Sequence, residues 1–333
     1  MLIAVNFHYI RENFKTPYLS IFGITPKEFS DQLDLLAMAF EFVSGEQILS
    51  AIRGESELPP KACCITFDDG LKEQFELAFP ILESKKIPAL FFVNTKPLTD
   101  DCVSLVHKIH LVRSQVAPEV LKSDLFAYLD SLGMGTLKSD KAAARRQYQY
   151  DTAEVAEFKY LLNFVLPLKE RDVFVGRCFS KFIGEDERAV SRDLYMTRDM
   201  ILALDKLKYV GTHAHDHVPL GQLSDDESDY QIRRSLEVLE GLKVKNICAL
   251  SYPYGGRPAC TPSVARIARK YGVSFAFTME RGGNLDFEEP MFLARFSNSD
   301  LPGSGDSVRV MESILESMPC ATWGRGENAI GTE

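Results

Sequence analysis

The chain's 333 residues suffice for one large domain or two ordinary ones, and a content of 45% hydrophobic and 26% charged residues excludes a disordered or fibrous protein. Its 38 basic against 47 acidic side chains give a net charge of −9 without any basic block, which argues against nucleic acid or an anionic membrane as partner. Seven cysteines without a CxxC pair, no export signal in the opening Met-Leu-Ile-Ala-Val-Asn-Phe-His, and no apolar run near the ~18 residues of a membrane helix predict reduced thiols, no membrane span and a cytoplasmic location.

In chain order, Ile3–Phe7 reads as a buried strand, and Pro26–Ala39 as a helix with Phe29, Leu33, Leu36 and Ala37 on one face. Cys63–Phe67 is the next strand. Lys72–Lys86 follows as a helix in which Pro80 predicts a kink, and Ala89–Val93 is a further strand. Asp101–Ser191 then breaks the alternation. Its segments Val103–Val116, Pro118–Leu132, Ala142–Leu166 and Lys169–Ile183 read as helices, so 101–191 is expected to be a helical insertion, a lid or dimer surface, within one 1–320 domain. Strands are expected again at Tyr209–Thr212, Ile247–Tyr252, Ser274–Thr278 and Phe292–Phe296. Helices are expected at Thr197–Leu207, Asp226–Leu242 and Thr261–Tyr271, the last opening Thr-Pro and stopped by Gly272. The glycine-dotted end, 321–333, reads as a disordered tail. Alternating strands and helices predict an α/β fold around a mainly parallel sheet.

Four polar groups fall where these strands end, which is where α/β barrels place their active sites. Thr66-Phe67-Asp68-Asp69-Gly70 closes one strand with adjacent carboxylates, a pattern that suits either a metal ligand beside a proton acceptor or an ordinary turn. Gly211-Thr212-His213-Ala214-His215-Asp216-His217 holds three of the chain's six histidines. His213 and His217 are four apart, so one helical turn would place both on one face as metal ligands; a solvated loop is the alternative. Residue 214 is Ala, so the HExxH pattern of zinc proteases is absent. Leu250-Ser251-Tyr252-Pro253-Tyr254-Gly255-Gly256 runs a strand into a tight turn, either an oxyanion site with an aromatic wall or a plain strand end. Arg295, at a buried-looking strand end, calls for a carboxylate partner unless that strand is an exposed edge.

Together these motifs resemble those of the polysaccharide deacetylases of NodB homology, carbohydrate esterase family 4. Thr66–Gly70 resembles the family's first motif, His213–His217 with Leu220 its second, Tyr252-Pro253-Tyr254-Gly255 its third and Arg295 its fourth, in the family's order. The resemblance spans roughly residues 1–300 and implies a distorted (β/α)7-type barrel with the 101–191 segment inserted. It further implies one divalent metal ion on Asp69, His213 and His217, zinc first, with cobalt, nickel and iron also compatible with such ligands. Asp68 would be the general base, the Tyr254 backbone N–H an oxyanion donor, and Arg295 the residue that orients Asp68.

Two positions depart from the family. Ser251 stands where the third motif commonly has arginine, and no histidine follows His217 to serve as the fifth-motif general acid. His8 is the candidate acid, because it follows the first strand and family members from surface-polysaccharide loci begin with a similar x-His-Tyr strand; His215 and the pair His107 and His110 are alternatives. The resemblance implies a metal-dependent N-deacetylase, a hydrolase of carbon–nitrogen bonds other than peptide bonds, acting on an N-acetylated sugar or glycan precursor of a surface polysaccharide. A related hydrolase of a non-sugar amide and an inactive sugar-binding homologue are the other readings. A homo-oligomer is left open.

Overall fold

Every residue of Leu2–Phe7 (β1), Ala62–Phe67 (β3) and Ala89–Val93 (β4) is buried, as expected of parallel strands covered on both faces. The structure, a computed structural model, describes residues 1–18, 20–134, 140–147, 151–184, 186–245, 247–301 and 319–323. With Glu41–Phe42 (β2), Val210–Thr212 (β5), Ala249–Ser251 (β6), Phe275–Phe277 (β7) and Phe296–Ser297 (β8), these form an eight-stranded parallel sheet in the order β8-β1-β3-β4-β5-β6-β7, with β2 beside the start of β3. The stretch from Leu293 to Ser297 bridges Phe277 on one side and Val5–Asn6 on the other, so it spans both edges of the sheet.

The period-two alternation of the strands divides the core. Ile3, Val5 and Phe7 pack outward with Ile65, Phe67 and Phe91 against Phe29, Leu33 and Leu36 of helix α1 (Pro26–Ala37). Phe67 and Phe91 stack with centroids 4.6 Å apart, and Phe29 meets Phe7 edge-on at 4.9 Å. Helix α1 starts where Thr25 and Glu28 form a capping box. Leu2 and Ala4 face the other way, with Cys64, Leu90, Phe92, Ala249 and Phe277. Ile48 of helix α2 (Gly45–Ile52), which the sequence reading did not foresee, joins this inner cluster.

Two elements differ from expectation for identifiable reasons. The helix expected over Lys72–Lys86 is a wide π-turn, Gln74–Ala78, followed by helix α3 (Phe79–Lys85). Pro80 has no N–H to give the ladder and would crowd the carbonyl four residues earlier, and the wide turn relieves both. The last strand is β8 at Phe296–Ser297 instead of Phe292–Phe296, because Pro290–Phe292 forms a 3₁₀ turn.

The chain divides into two units, one of Met1–Asn13, Gly23–Cys102 and the residues from Ser191 onward, the other of Phe14–Phe22 and Val103–Val190. The first carries the sheet. The second is helical, with helices at Leu105–Gln115, Pro118–Ser131, Lys141–Gln147, Ala153–Tyr160 and Leu168–Phe182. The single helix expected over Ala142–Leu166 is broken: Thr152 caps a new start by accepting from the Val155 N–H. Of the expected tail, Thr322 and Trp323 donate to the buried Glu280 carboxylate, and the part beyond Trp323 lies outside the described residues. All seven cysteines are free.

Candidate active site

The inner face of the sheet turns from apolar to polar as the strands run toward their C-terminal ends. Following Leu2 and Ala4 along β1 comes Asn6; following Ala62 and Cys64 along β3 come Thr66 and then Asp68, all of them buried. Arg295 is 1% exposed and is the largest fully buried side chain among the described residues. Its guanidinium grips Asp68 with two parallel bonds, Nη1 to Oδ1 at 3.0 Å and Nη2 to Oδ2 at 2.9 Å. It also donates to the Thr278 carbonyl at 3.0 Å, to Ser251 Oγ at 2.9 Å and to Thr66 Oγ1 at 3.3 Å. Ser251, which stands in place of the family's arginine, thus serves as an acceptor for Arg295. Asn6 Nδ2 donates to Asp68 Oδ2 at 2.9 Å, while Thr66 Oγ1 donates to Asn6 Oδ1 at 3.1 Å. Burial pushes the Asp68 carboxyl up, but the Arg295 charge, with smaller help from His213, outweighs it and holds Asp68 well below the usual carboxylate range.

Asp69 leaves β3 in the left-handed region, φ 80°, and Gly70 follows at φ 66°, so the chain turns sharply and the two adjacent carboxylates take different partners. Asp69 Oδ1 lies 3.1 Å from His217 Nε2 and 3.5 Å from His213 Nε2. One ligand atom from each of the three residues lies within 4.8 Å of the other two, and all three residues are buried. His213 Nδ1 must donate to the Ser251 carbonyl at 2.8 Å, because a carbonyl only accepts; Nε2 is left as the acceptor aimed at the cluster. Burial depresses His213 to about 4, so it is a neutral, ligand-competent imidazole at pH 7. One carboxylate and two imidazoles form the donor set of a catalytic divalent-metal site, and their convergence and burial fit such an ion.

The two imidazoles converge without the helical turn that their spacing suggested. The segment is a loop, with Ala214 at φ 60° and His217 at φ 53°. Two clasps hold it. Gln231 accepts from the Asp216 N–H at 2.8 Å and donates back to the Asp216 carboxylate, which also meets Lys96 at 3.1 Å. His215 turns aside to Thr95, Nδ1 to Oγ1 2.9 Å, and joins neither the metal cluster nor Asp68.

His8 Nε2 lies 4.0 Å from Asp68 Oδ2, with its side chain 40% exposed at the mouth of the site. The Tyr254 ring stands edge-on to His217, centroids 5.1 Å apart, on a backbone at φ 63°. His107 and His110 belong to the helical unit, where His107 is fully buried and the two rings lie 6.2 Å apart.

The sequence reading missed three contributors. Asn6 was signalled by a polar residue within an apolar strand. Tyr9 is buried; burial, with a smaller contribution from the Asp69 charge, raises its phenol, and Arg11 stacks over its ring at 4.7 Å. Gln74, in the π-turn, is fully buried; it donates to the Asp68 carbonyl at 2.6 Å and the His8 carbonyl at 3.0 Å and accepts from Leu71 N–H. No local pattern marked Gln74, because a glutamine inside a helical stretch is common.

Residues 55–118 match the family model described as polysaccharide deacetylase. Among curated proteins none matches the chain. In fold the chain is similar to the deacetylase PplD of Streptococcus pyogenes, solved with acetate, at 15% identity and a TM-score of 0.55, over 96% of this chain and 98% of that one. It is similar to IcaB from Ammonifex degensii at 19% identity and TM-score 0.53, over 89% and 91% of the two chains. The BpsB deacetylase domain of Bordetella bronchiseptica gives 13% identity and TM-score 0.53 over 89% and 95%. The family match thus falls on the segment that carries Asp68 and Asp69, and the parallel sheet ringed by helices is the fold of these solved deacetylases.

Proposed function

We propose that the protein removes the N-acetyl group from an amino sugar in a precursor of a surface polysaccharide, using one divalent metal ion. The observation that carries this reading is the buried convergence of Asp69, His213 and His217 with the Arg295-held carboxylate of Asp68 next in sequence to Asp69. Asp69, His213 and His217 would hold the ion, with zinc, cobalt, nickel or iron all compatible with the donor set. A bound divalent ion supplies Lewis acidity, polarising the amide carbonyl and acidifying water.

The chain's own residues do the rest. Asp68 accepts the proton of the attacking water at the carboxylate that Arg295 and Asn6 keep ionised and aimed. The Tyr254 N–H, set by its left-handed backbone, donates to the oxygen that gains charge as water adds. His8, exposed beside Asp68, hands a proton to the departing amine.

Acetate release from N-acetylglucosamine oligosaccharides by the cobalt- or zinc-loaded protein tests the proposal. Asp68→Asn should lose about 10²–10⁴-fold in kcat, the span of general acid–base catalysis. Equal background release by wild type and Asp68→Asn would reject it.

A further inference from the structure

The opposite ends of the same strands enclose a second cavity, of about 390 Å³. Its walls include Leu90 and Val210, near the starts of β4 and β5, and Cys248 and Ser274, which precede β6 and β7. None of the residues of the candidate active site lines it. Val210 is three residues before His213, so roughly 10 Å of strand separates cavity from site. This volume falls in the range of small-molecule sites.

Its lining has two characters. Leu49, Leu90, Val210 and Ile247 make an apolar floor, and Arg53, Lys208, Lys245 and Glu46 supply the charges. Lys208 is neutralised by its ion pair with Glu46. Arg53 and Lys245 have no acidic partner among the described residues, which leaves two positive charges on one cavity of a chain whose net charge is −9. Two walls are unusually bare. Gly272, at φ +86°, has open space where a side chain would begin, and Gly45 packs so close to Leu90 that a Cβ would lie 2.9 Å from its Cδ2 methyl. Two unpartnered cations over an apolar floor match a ligand with a compact dianion at one end and an uncharged organic body at the other.

We infer that this cavity binds an organic phosphate monoester, its phosphate between Arg53 and Lys245 and its body on Leu49, Leu90 and Ile247. The phosphate takes paired donors from the Arg53 guanidinium and a point charge from Lys245. The site is separate from the hydrolytic one and does not depend on the proposed deacetylation.

Calorimetric titration of the full chain with adenosine 5′-monophosphate and with glucose 6-phosphate, against adenosine and glucose, is the test. At least one ester should bind while both unphosphorylated bodies fail. The double variant Arg53→Gln, Lys245→Gln should weaken that ester at least tenfold with an unchanged melting temperature. Cys248 gives a second readout: peptide mapping after maleimide treatment should show it protected by the bound ester, with the exposed Cys320 labelled as before. Absence of binding by both esters at millimolar concentration, binding indifferent to the double variant, or labelling of Cys248 unchanged by saturating ester would each overturn the proposal. Inorganic phosphate binding as tightly as the esters would overturn the role given to the apolar floor.

Discussion

Asp68 and Arg295 depend on each other asymmetrically. Both are buried, so removing the cation leaves a carboxylate whose charge nothing nearby compensates. Arg295→Met should therefore cost about 3–5 kcal/mol of stability. Asp68→Asn, which keeps a polar acceptor for the guanidinium, should cost less. Urea denaturation of both variants checks the order, and a stable Arg295→Met protein would contradict it. His213 sets a pH dependence in the metal-free protein. Its folded value, about 4, lies below its ordinary 6.5, so between those pH values the unfolded chain binds a proton that the folded chain refuses. Stability should be level above pH 6.5 and fall as the pH drops toward 4, by roughly 3 kcal/mol at most, and His213→Gln should flatten that slope. Urea midpoints of chelator-treated protein at pH 7.5, 6 and 4.5 give the measurement.

At the scale of elements, the site depends on places where regular structure is interrupted. Pro80 forces a π-turn, and that turn presents Gln74 to the carbonyls of His8 and Asp68, so a helix defect fixes both strand ends. The turn after β6 is as constrained. Gly255 has φ +57°, and a Cβ there would lie 2.5 Å from Met279 Cγ and 2.8 Å from the Met279 backbone nitrogen. Gly255→Ala should destabilise by more than about 1 kcal/mol, since neither the backbone conformation nor the space suits alanine. It should also lower acetate release through the neighbouring Tyr254. A melting temperature equal to wild type would show that the turn yields more readily than its packing implies.

Over the whole molecule, a divalent ion bound only by the folded form should raise stability by mass action, about 2.7 kcal/mol at one hundred times its dissociation constant. Calorimetric melts with zinc or cobalt should show this gain, and His213→Gln or chelation should abolish it. Much of the architecture could be read beforehand. The buried strands announced themselves as short β-branched and aromatic runs, and the Asp-Asp and spaced-His motifs lay at their ends. What escaped reading was non-local. Glu41–Phe42 is too short to show a period, and α2 carries little of its own signal beyond the Ser44–Gln47 capping box. The His213–His217 spacing suggested a helix because sequence spacing cannot distinguish a helical turn from left-handed loop residues held by Gln231 and Lys96.

Among the described residues, eight other than glycine have a positive φ, and four of them, Asp69, Ala214, His217 and Tyr254, belong to the site. Each such residue stores of order 1 kcal/mol or more that the surrounding fold must offset. Glycine would sit more comfortably at all four. Breeding this chain for heat tolerance alone should drift toward those replacements, yielding a sturdier and inert protein, whereas screening for turnover should resist them.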